Sequence, residues 1–232
     1  MANGNLDKMA GGAVAAPKRG VKRSRTVYED LQREIMLGAL PPMATIVEMD
    51  IAERFACSQS TVREALIALS NDGLVERRSH RGTFVADARA DDAHELIRIR
   101  RDIESRSMSR VLRRFGALLK NELVDIIEAM KSAAMQDDVY QVTIHDRAFH
   151  LNLFDAADLP SVRPVLQRCL IHNHRFKILN SGSQRDLYET AVRHEAILDA
   201  LTAGDAKGAT AAMAHHVTTI EEFGPDITEE EE

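Results

Sequence analysis

Residues 51–85 constrain the fold of this chain more than any other stretch. Apolar residues recur at helical spacing on both sides of a polar break at residues 56–58, first at Ile51, Ala52 and Phe55, then at Val62, Leu66 and Leu69. Gly73 ends the second helix, and strand-like runs at 74–78 and 83–85 flank a turn. This order of elements predicts a winged helix-turn-helix, a shape that fits the major groove of DNA.

Polar residues around the second helix and the hairpin are the candidate DNA contacts. Ser58 or Ser60 can cap the helix, whose start offers short polar groups and one long cation to base edges and phosphates. The candidate DNA-binding residues are Ser58, Gln59, Ser60, Thr61, Arg63, Arg77, His80, Arg81 and Gly82. The alternative, three ordinary packing helices with a solvated polar face, does not account for the basic hairpin.

At first sight the formal net charge of −6 is unsuited to a DNA-binding protein, but the charge is unevenly distributed along the chain. Residues 18–90 carry 12 basic and 10 acidic side chains, whereas residues 91–232 carry 17 and 25. The positive charge therefore lies in the N-terminal part, as contact with phosphates requires. The acidic remainder would limit non-specific binding to DNA.

Composition shifts divide the chain into five segments. They are a disordered basic arm (1–24), a winged helix-turn-helix domain (25–86), a linker (87–91), a helical domain (92–223) and an acidic tail (224–232). We expect Thr26 to cap the first helix of the DNA-binding domain. No apolar window has the length of a membrane span, and the N-terminus lacks the apolar core of a signal peptide. The two cysteines form no paired motif. We therefore expect a cytoplasmic protein without membrane association.

Beyond the linker, the sequence shows only helical periods. The predicted helices are 92–115, 119–135, 138–156, 161–180, 184–203 and 206–223. The absence of tryptophan and the 4% of aromatic residues also favour helices over sheets. We therefore predict a mainly α fold, in which the winged helix-turn-helix (α plus a small β-hairpin) precedes an all-α antiparallel bundle of about six helices.

Four polar residues occupy positions of the apolar stripe in three of these helices: Asp146, His150, His194 and His216. Burying a carboxylate and three imidazoles is costly unless they pair or bind a cation. One oxygen and three nitrogens suit Zn²⁺, Ni²⁺, Mn²⁺ or a similar divalent metal. The alternative is that each histidine is a hydrogen-bonded core residue. It stays open, because eight of the nine histidines lie in this region and chance alignment is not negligible.

The block from about residue 27 to 85 resembles the DNA-binding domain of the GntR family of bacterial transcription regulators. The resemblance rests on Ser-x-x-x-Val-Arg-Glu-Ala-Leu, followed by Asp-Gly-Leu-Val and Arg-Gly-Thr-Phe-Val. It implies that Arg63 contacts bases or phosphates, that Ser58 and Ser60 supply hydroxyl contacts, and that the wing reaches toward the minor groove. Two arginines common in the family are replaced here, one by Met49 and one in the turn by Gln59, which suggests a different operator sequence.

Residues 92–222 resemble the helical ligand-binding domain of the FadR subfamily, known as the FCD domain, and are most similar to its VanR-like branch. Metal-binding members carry Asp-x-x-x-His, then a His-x-x-Ile-Leu-x-Ala-Leu-x-x-Gly-Asp run, then a histidine in the final helix. This chain has the first two patterns at 146–150 and 194–205. For the last histidine, the family spacing selects His216 over His215, which implies that the four residues above are metal ligands.

An open coordination position on such a metal would attract a carboxylate. Arg100 and Arg101 lie in an Arg-Arg-x-x-Glu pattern that the family also shows, and are candidates to bind the same anion. A structural salt bridge with Glu104 is the alternative. His172 and His174 are further candidates for effector binding, although they could instead face water.

Together these features predict a ligand-responsive transcription regulator that is not an enzyme. The resemblance implies a repressor that acts as a homodimer on a palindromic double-stranded DNA operator and responds to a small organic acid. Two alternatives stay open. One is a metal-dependent enzyme acting on a small organic acid, although His194-Glu195 lacks the second histidine of a His-Glu-x-x-His motif. The other is a regulator that responds to the metal itself.

Overall fold

The computed structural model describes residues 19–180 and 186–222, and it confirms the mainly α fold class. In chain order the elements are α1 (Arg19–Met36), β1 (Thr45–Ile46), α2 (Glu48–Arg54), α3 (Gln59–Asn71), β2 (Val75–Arg78), β3 (Gly82–Val85), α4 (Ala90–Leu112), α5 (Ala117–Met135), α6 (Val139–Asp155), α7 (Arg163–Asn180), α8 (Leu187–Val192), α9 (Glu195–Thr202) and α10 (Ala206–Glu222). Over these two ranges, no helix is both long and apolar enough to cross a membrane.

The N-terminal elements form a winged helix-turn-helix around a small core. Leu31 and Ile35 of α1 pack against Leu66 and Leu69 of α3, and all four side chains are fully buried. The hairpin of β2 and β3 is antiparallel, and β1 pairs with the other edge of β3 to complete the order β1-β3-β2. The sequence did not predict β1, because two residues are too few to show an alternating pattern.

The C-terminal elements form a helical bundle whose core lies between α4, α5, α6 and α10. Buried side chains from these helices, such as Met108, Leu123, Phe149 and Met213, belong to one apolar cluster. Helix α4 packs against α10 and α7, and α5 packs against α6 and α8. Helices α6 and α10 and the junction between α8 and α9 carry the predicted polar positions into the middle of the bundle.

The helix predicted over 184–203 is two helices in the structure, and this part of the prediction is wrong. Its first two residues lie outside the described ranges, and the chain breaks between α8 and α9 at Arg193 and His194. Here His194 Nδ1 donates to the carbonyl oxygens of Thr190 and Ala191 at 3.1 and 3.2 Å. A side chain that takes up backbone acceptors competes with helical hydrogen bonding, an effect that hydrophobic periodicity does not reveal.

The start of α1 also differs from the expectation. The sequence predicts a basic arm up to residue 24 and a first helix capped by Thr26. In the structure α1 begins at Arg19, so Thr26 lies inside the helix. Arginine and lysine are good helix formers, and Arg25 adds an ion pair with Glu29 one turn later. Residues 1–18 of the arm and the predicted acidic tail lie outside the described residues.

Helix α7 joins the two domains along what we call the seam: the contact of α7 with the end of α3 and with the linker. Gln167 Nε2 donates to Asp72 Oδ1 at 2.9 Å, and His172 Nε2 donates to the Asp72 carbonyl at 3.1 Å. Arg175 is fully buried and donates to the carbonyl oxygens of Ala86 and Asp87. Helix α3, the predicted recognition helix, is therefore hydrogen-bonded to the bundle at its C-terminal end.

Candidate DNA interface and metal centre

The start of α3 separates the predicted contact residues into two groups. Ser58 is the N-cap of α3, and its hydroxyl accepts from the Thr61 backbone N–H at 3.3 Å. Thr61 is only 9% exposed, and its hydroxyl lies 2.9 Å from that of Ser58. By contrast, Gln59 and Ser60 are exposed to solvent. The structure therefore presents Gln59 and Ser60 outward, whereas Thr61 helps to start the helix.

Arg63 and Arg77 are brought together by one carboxylate that the sequence analysis did not single out. Glu48, in the first turn of α2, accepts from Arg63 Nε at 2.6 Å and from Arg77 Nη2 at 3.4 Å. Both guanidinium groups remain about half exposed. Because the two arginines come from α3 and β2, this shared partner holds a guanidinium of the predicted recognition helix close to one of the hairpin.

The wing tip consists of the remaining predicted DNA-binding residues. His80, Arg81 and Gly82 are all exposed, and the turn is closed by the Arg81 N–H donating to the Arg78 carbonyl at 3.0 Å. His80 and Gly82 have positive φ values of 59° and 100°. Glycine tolerates this conformation best, so the tip projects as a narrow turn that suits entry into a groove.

The four residues of the predicted metal cluster meet in the bundle core. Asp146, His150, His194 and His216 are all buried, and one ligand atom from each lies within 4.8 Å of all the others. His150 Nε2 and His216 Nε2 are 3.2 Å apart, and His194 Nε2 is 3.3 Å from Asp146 Oδ1. Two nitrogens at about 2.0–2.1 Å from one Zn²⁺ stand roughly 3.3 Å apart, so these separations suit a shared ion.

The second ring nitrogen of two histidines is held by an acceptor outside the cluster. His150 Nδ1 donates to the buried carboxylate of Glu104. His194 Nδ1 donates to the backbone carbonyls described above. Metal-binding histidines are oriented in this way, because the outer acceptor fixes the tautomer and directs the other nitrogen toward the ion. The residues present therefore fit a divalent metal.

The ionisation of the cluster also suits a cation. Burial lowers the pKa of His150 and, with help from the neighbouring imidazoles, holds the pKa of His216 well below its usual value. Burial alone would raise the pKa of Asp146, but the surrounding histidines, His174 foremost, keep it well below its usual range. Neutral imidazoles and an ionised carboxylate are the forms that bind metals.

Of the four predicted effector-binding residues, the structure brings two to the cluster. Arg100 is 1% exposed, and its Nη2 lies 2.7 Å from His150 Nε2, while its Nε donates to Glu104. His174 Nε2 lies 2.8 Å from Asp146 Oδ2. Burial lowers the pKa of His174 to about 4, so the neutral ring donates this hydrogen bond.

The other two candidates lie elsewhere. Arg101 is half-buried on α4 and has no side-chain partner within the described ranges. His172 belongs to the seam, where it bonds to Asp72. Glu104 was predicted only as a possible salt-bridge partner, on the signal that it lies four residues after Arg100. Its contact with His150 depends on how α4 packs against α6.

Family models match both parts of the chain. Residues 23–85 match the model described as bacterial regulatory proteins, gntR family. Residues 95–219 match the model described as FCD domain. Residues 86–94, which include the linker and the first residues of α4, separate the two matches.

Similar proteins agree with these matches. The chain is 33% identical over 198 residues to the probable D-xylose utilization operon transcriptional repressor of Paenarthrobacter nicotinovorans, covering 82% of this chain and 84% of that one. Among solved structures, a transcriptional regulator GntR from Rhodococcus sp. RHA1 is 26% identical with a TM-score of 0.70, covering 87% of this chain and 96% of the other. E. coli McbR/YncC has a TM-score of 0.73 at 20% identity, covering 86% and 95%, and shares the fold.

Proposed function

Because this chain belongs to the GntR family of bacterial regulatory proteins and carries an FCD domain, we propose that it is a repressor controlled by a small organic acid bound at a divalent metal. Membership makes the chain a DNA-binding transcription regulator and not an enzyme. The observation that carries the proposal is the buried cluster of Asp146, His150, His194 and His216, with its ligand atoms within 4.8 Å of one another.

The four cluster residues would hold the metal, with Zn²⁺, Ni²⁺ and Mn²⁺ as the fitting ions. When bound, the ion supplies a positive centre that attracts the carboxylate of an organic acid. Arg100 is the protein group best placed to bind the same acid, since its guanidinium lies within the cluster and can hold a carboxylate through two hydrogen bonds. His174 supports the site by holding Asp146 Oδ2.

We propose that the protein is cytoplasmic and binds a palindromic operator as a homodimer. Each α3 would enter a major groove, with Arg63 and the exposed Gln59 and Ser60 near base edges and phosphates. Arg77 and the wing tip (80–82) would contact the backbone and the adjacent minor groove. The name of the D-xylose operon relative supports repression as the mode of control.

The acid and the operator would oppose each other. If the acid prefers one arrangement of the bundle and the operator another, each weakens the binding of the other by the same factor. The seam supplies a physical route, because α7 bonds to Asp146 through His174 and to Asp72 through Gln167.

The metal centre is tested by elemental analysis of the full chain and of two neighbouring variants. His216→Ala removes a buried ligand, whereas His215→Ala changes the exposed histidine beside it. We expect about one divalent ion per wild-type chain, the same for His215→Ala, and a severe loss for His216→Ala. Equal metal content in both variants would remove the proposed site. Operator release by the metal without any acid would instead support a metal sensor.

A further inference from the structure

The contact between Arg100 and His150 shows which ring nitrogen of His150 accepts a hydrogen bond from the guanidinium. Arginine has only donors, so at 2.7 Å from Arg100 Nη2 the His150 Nε2 atom must be the acceptor. The Nδ1 proton is then directed to Glu104. Nε2 is thus the atom that His150 offers to the cluster, since it also lies 3.2 Å from His216 Nε2.

One lone pair cannot serve a guanidinium and a metal ion at the same time. We infer that Arg100 is a displaceable internal cation, which competes with the metal for His150 and must turn away before His150 can bind the ion. Repulsion acts in the same direction, because a guanidinium and a divalent ion a few ångströms apart in a buried site oppose each other strongly. Arg100 therefore weakens metal binding while no acid is bound.

Glu104 makes this displacement feasible. Its carboxylate is bonded both by Arg100 Nε and by His150 Nδ1, so it keeps a buried partner if the guanidinium turns. The side chain that leaves His150 needs a new partner, since a buried unpaired cation is costly.

The carboxylate of an organic acid is such a partner, and on this point the inference rests on the proposed function. An acid that pairs with Arg100 frees His150 Nε2, so the acid and the metal each strengthen the binding of the other. Arg100 would thus make metal loading conditional on the acid, rather than serve only as one more contact to it.

The test is the Zn²⁺ affinity of the full chain without any organic acid, measured by competition with a chromophoric chelator. Arg100→Gln keeps a polar side chain but removes the charge, and Arg101→Gln is the matched control one residue along α4. Arg100→Gln should bind Zn²⁺ about tenfold to a hundredfold more tightly, the range set by losing one charge-assisted hydrogen bond. Arg101→Gln should match the wild type.

A purely structural or ligand-holding role predicts the opposite sign, so equal or weaker Zn²⁺ binding by Arg100→Gln would overturn the inference. If that variant does not fold, the wild type itself provides the test: its Arg100 side-chain ¹⁵Nε signal should shift when Zn²⁺ is added. An unchanged signal in a metal-loaded chain would equally refute the inference. If the wild type binds no Zn²⁺ at all, the proposed function fails first.

Discussion

At the residue scale, the proposed DNA surface includes two arginines, Arg63 and Arg77, that share the carboxylate of Glu48. Glu48 bonds both Arg63 and Arg77 and so orders two long side chains that would otherwise lose considerable rotamer entropy on binding. The carboxylate is a partner that phosphate can replace, because both guanidinium groups are about half exposed. Glu48 therefore prearranges the basic surface without blocking it.

Arg63→Ala should weaken specific operator binding by about 1–3 kcal/mol, the usual loss for an arginine that contacts a base. Fluorescence anisotropy with a labelled promoter fragment measures this at fixed salt. Arg114→Ala is the control, since Arg114 is a similarly exposed arginine paired with Asp158 in the bundle. Unchanged affinity in Arg63→Ala would exclude the contact.

Residue types and spacing predicted that Asp146, His150, His194 and His216 would lie together in the core, but not what surrounds them. Each of the four cluster residues lies on an apolar stripe, so helical periodicity alone placed them inside. Periodicity could not show which of the adjacent residues Arg100 and Arg101 contacts the cluster. The structure turns Arg100 into the cluster and leaves Arg101 outside it, because neighbouring side chains on a helix point about 100° apart.

At the element scale, helix positions followed from the sequence where local signals were strong. The helices predicted at 119–135, 138–156 and 206–223 correspond to α5, α6 and α10 within about two residues at each end. The break between α8 and α9 was missed, since it depends on the His194 ring bonding to carbonyls of the preceding turn. Bonds of this kind between a side chain and the backbone of its own turn leave no mark on the hydrophobic pattern.

The end of α3 offers a test at this scale. Gly73 has φ +76°, and a Cβ there would lie 2.7 Å from both Arg168 Nη2 and His172 Nε2. Gly73→Ala should therefore destabilise the protein by about 1–3 kcal/mol, through backbone strain and crowding of the seam.

Urea unfolding monitored by circular dichroism gives the comparison. Gly116→Ala is the control, because Gly116 precedes α5 with φ −145° and open space around its Cβ position. It should change the free energy of unfolding by less than about 1 kcal/mol. Equal stability of both variants would show that the seam tolerates a side chain at residue 73.

At the scale of the whole molecule, helix α7 contacts both functional regions. His174 bonds to the cluster, and Gln167 and His172 bond to the residue that ends the recognition helix. Tyr28 of α1 also donates to Asp72, at 2.5 Å. A change in the cluster can therefore reach the orientation of α3 through one helix.

Gln167→Leu removes the bond to Asp72 Oδ1 and leaves the DNA surface and the cluster intact. We expect near-normal operator affinity without acid but a several-fold smaller loss of affinity when acid is added, since coupling between sites is typically about 1–3 kcal/mol. Gln136→Leu is the control, because Gln136 bonds only within its own helix end. An unchanged acid response in Gln167→Leu would show that the bond between Gln167 and Asp72 does not carry the coupling.

The central claim, that an acid at the metal centre controls DNA binding, is tested most directly by operator affinity across a panel of small carboxylic acids. The Zn²⁺-loaded wild type and His216→Ala are titrated with promoter DNA under identical salt. We predict that at least one acid releases the wild type from DNA and that His216→Ala does not respond to it. An acid that releases both proteins equally would contradict the claim.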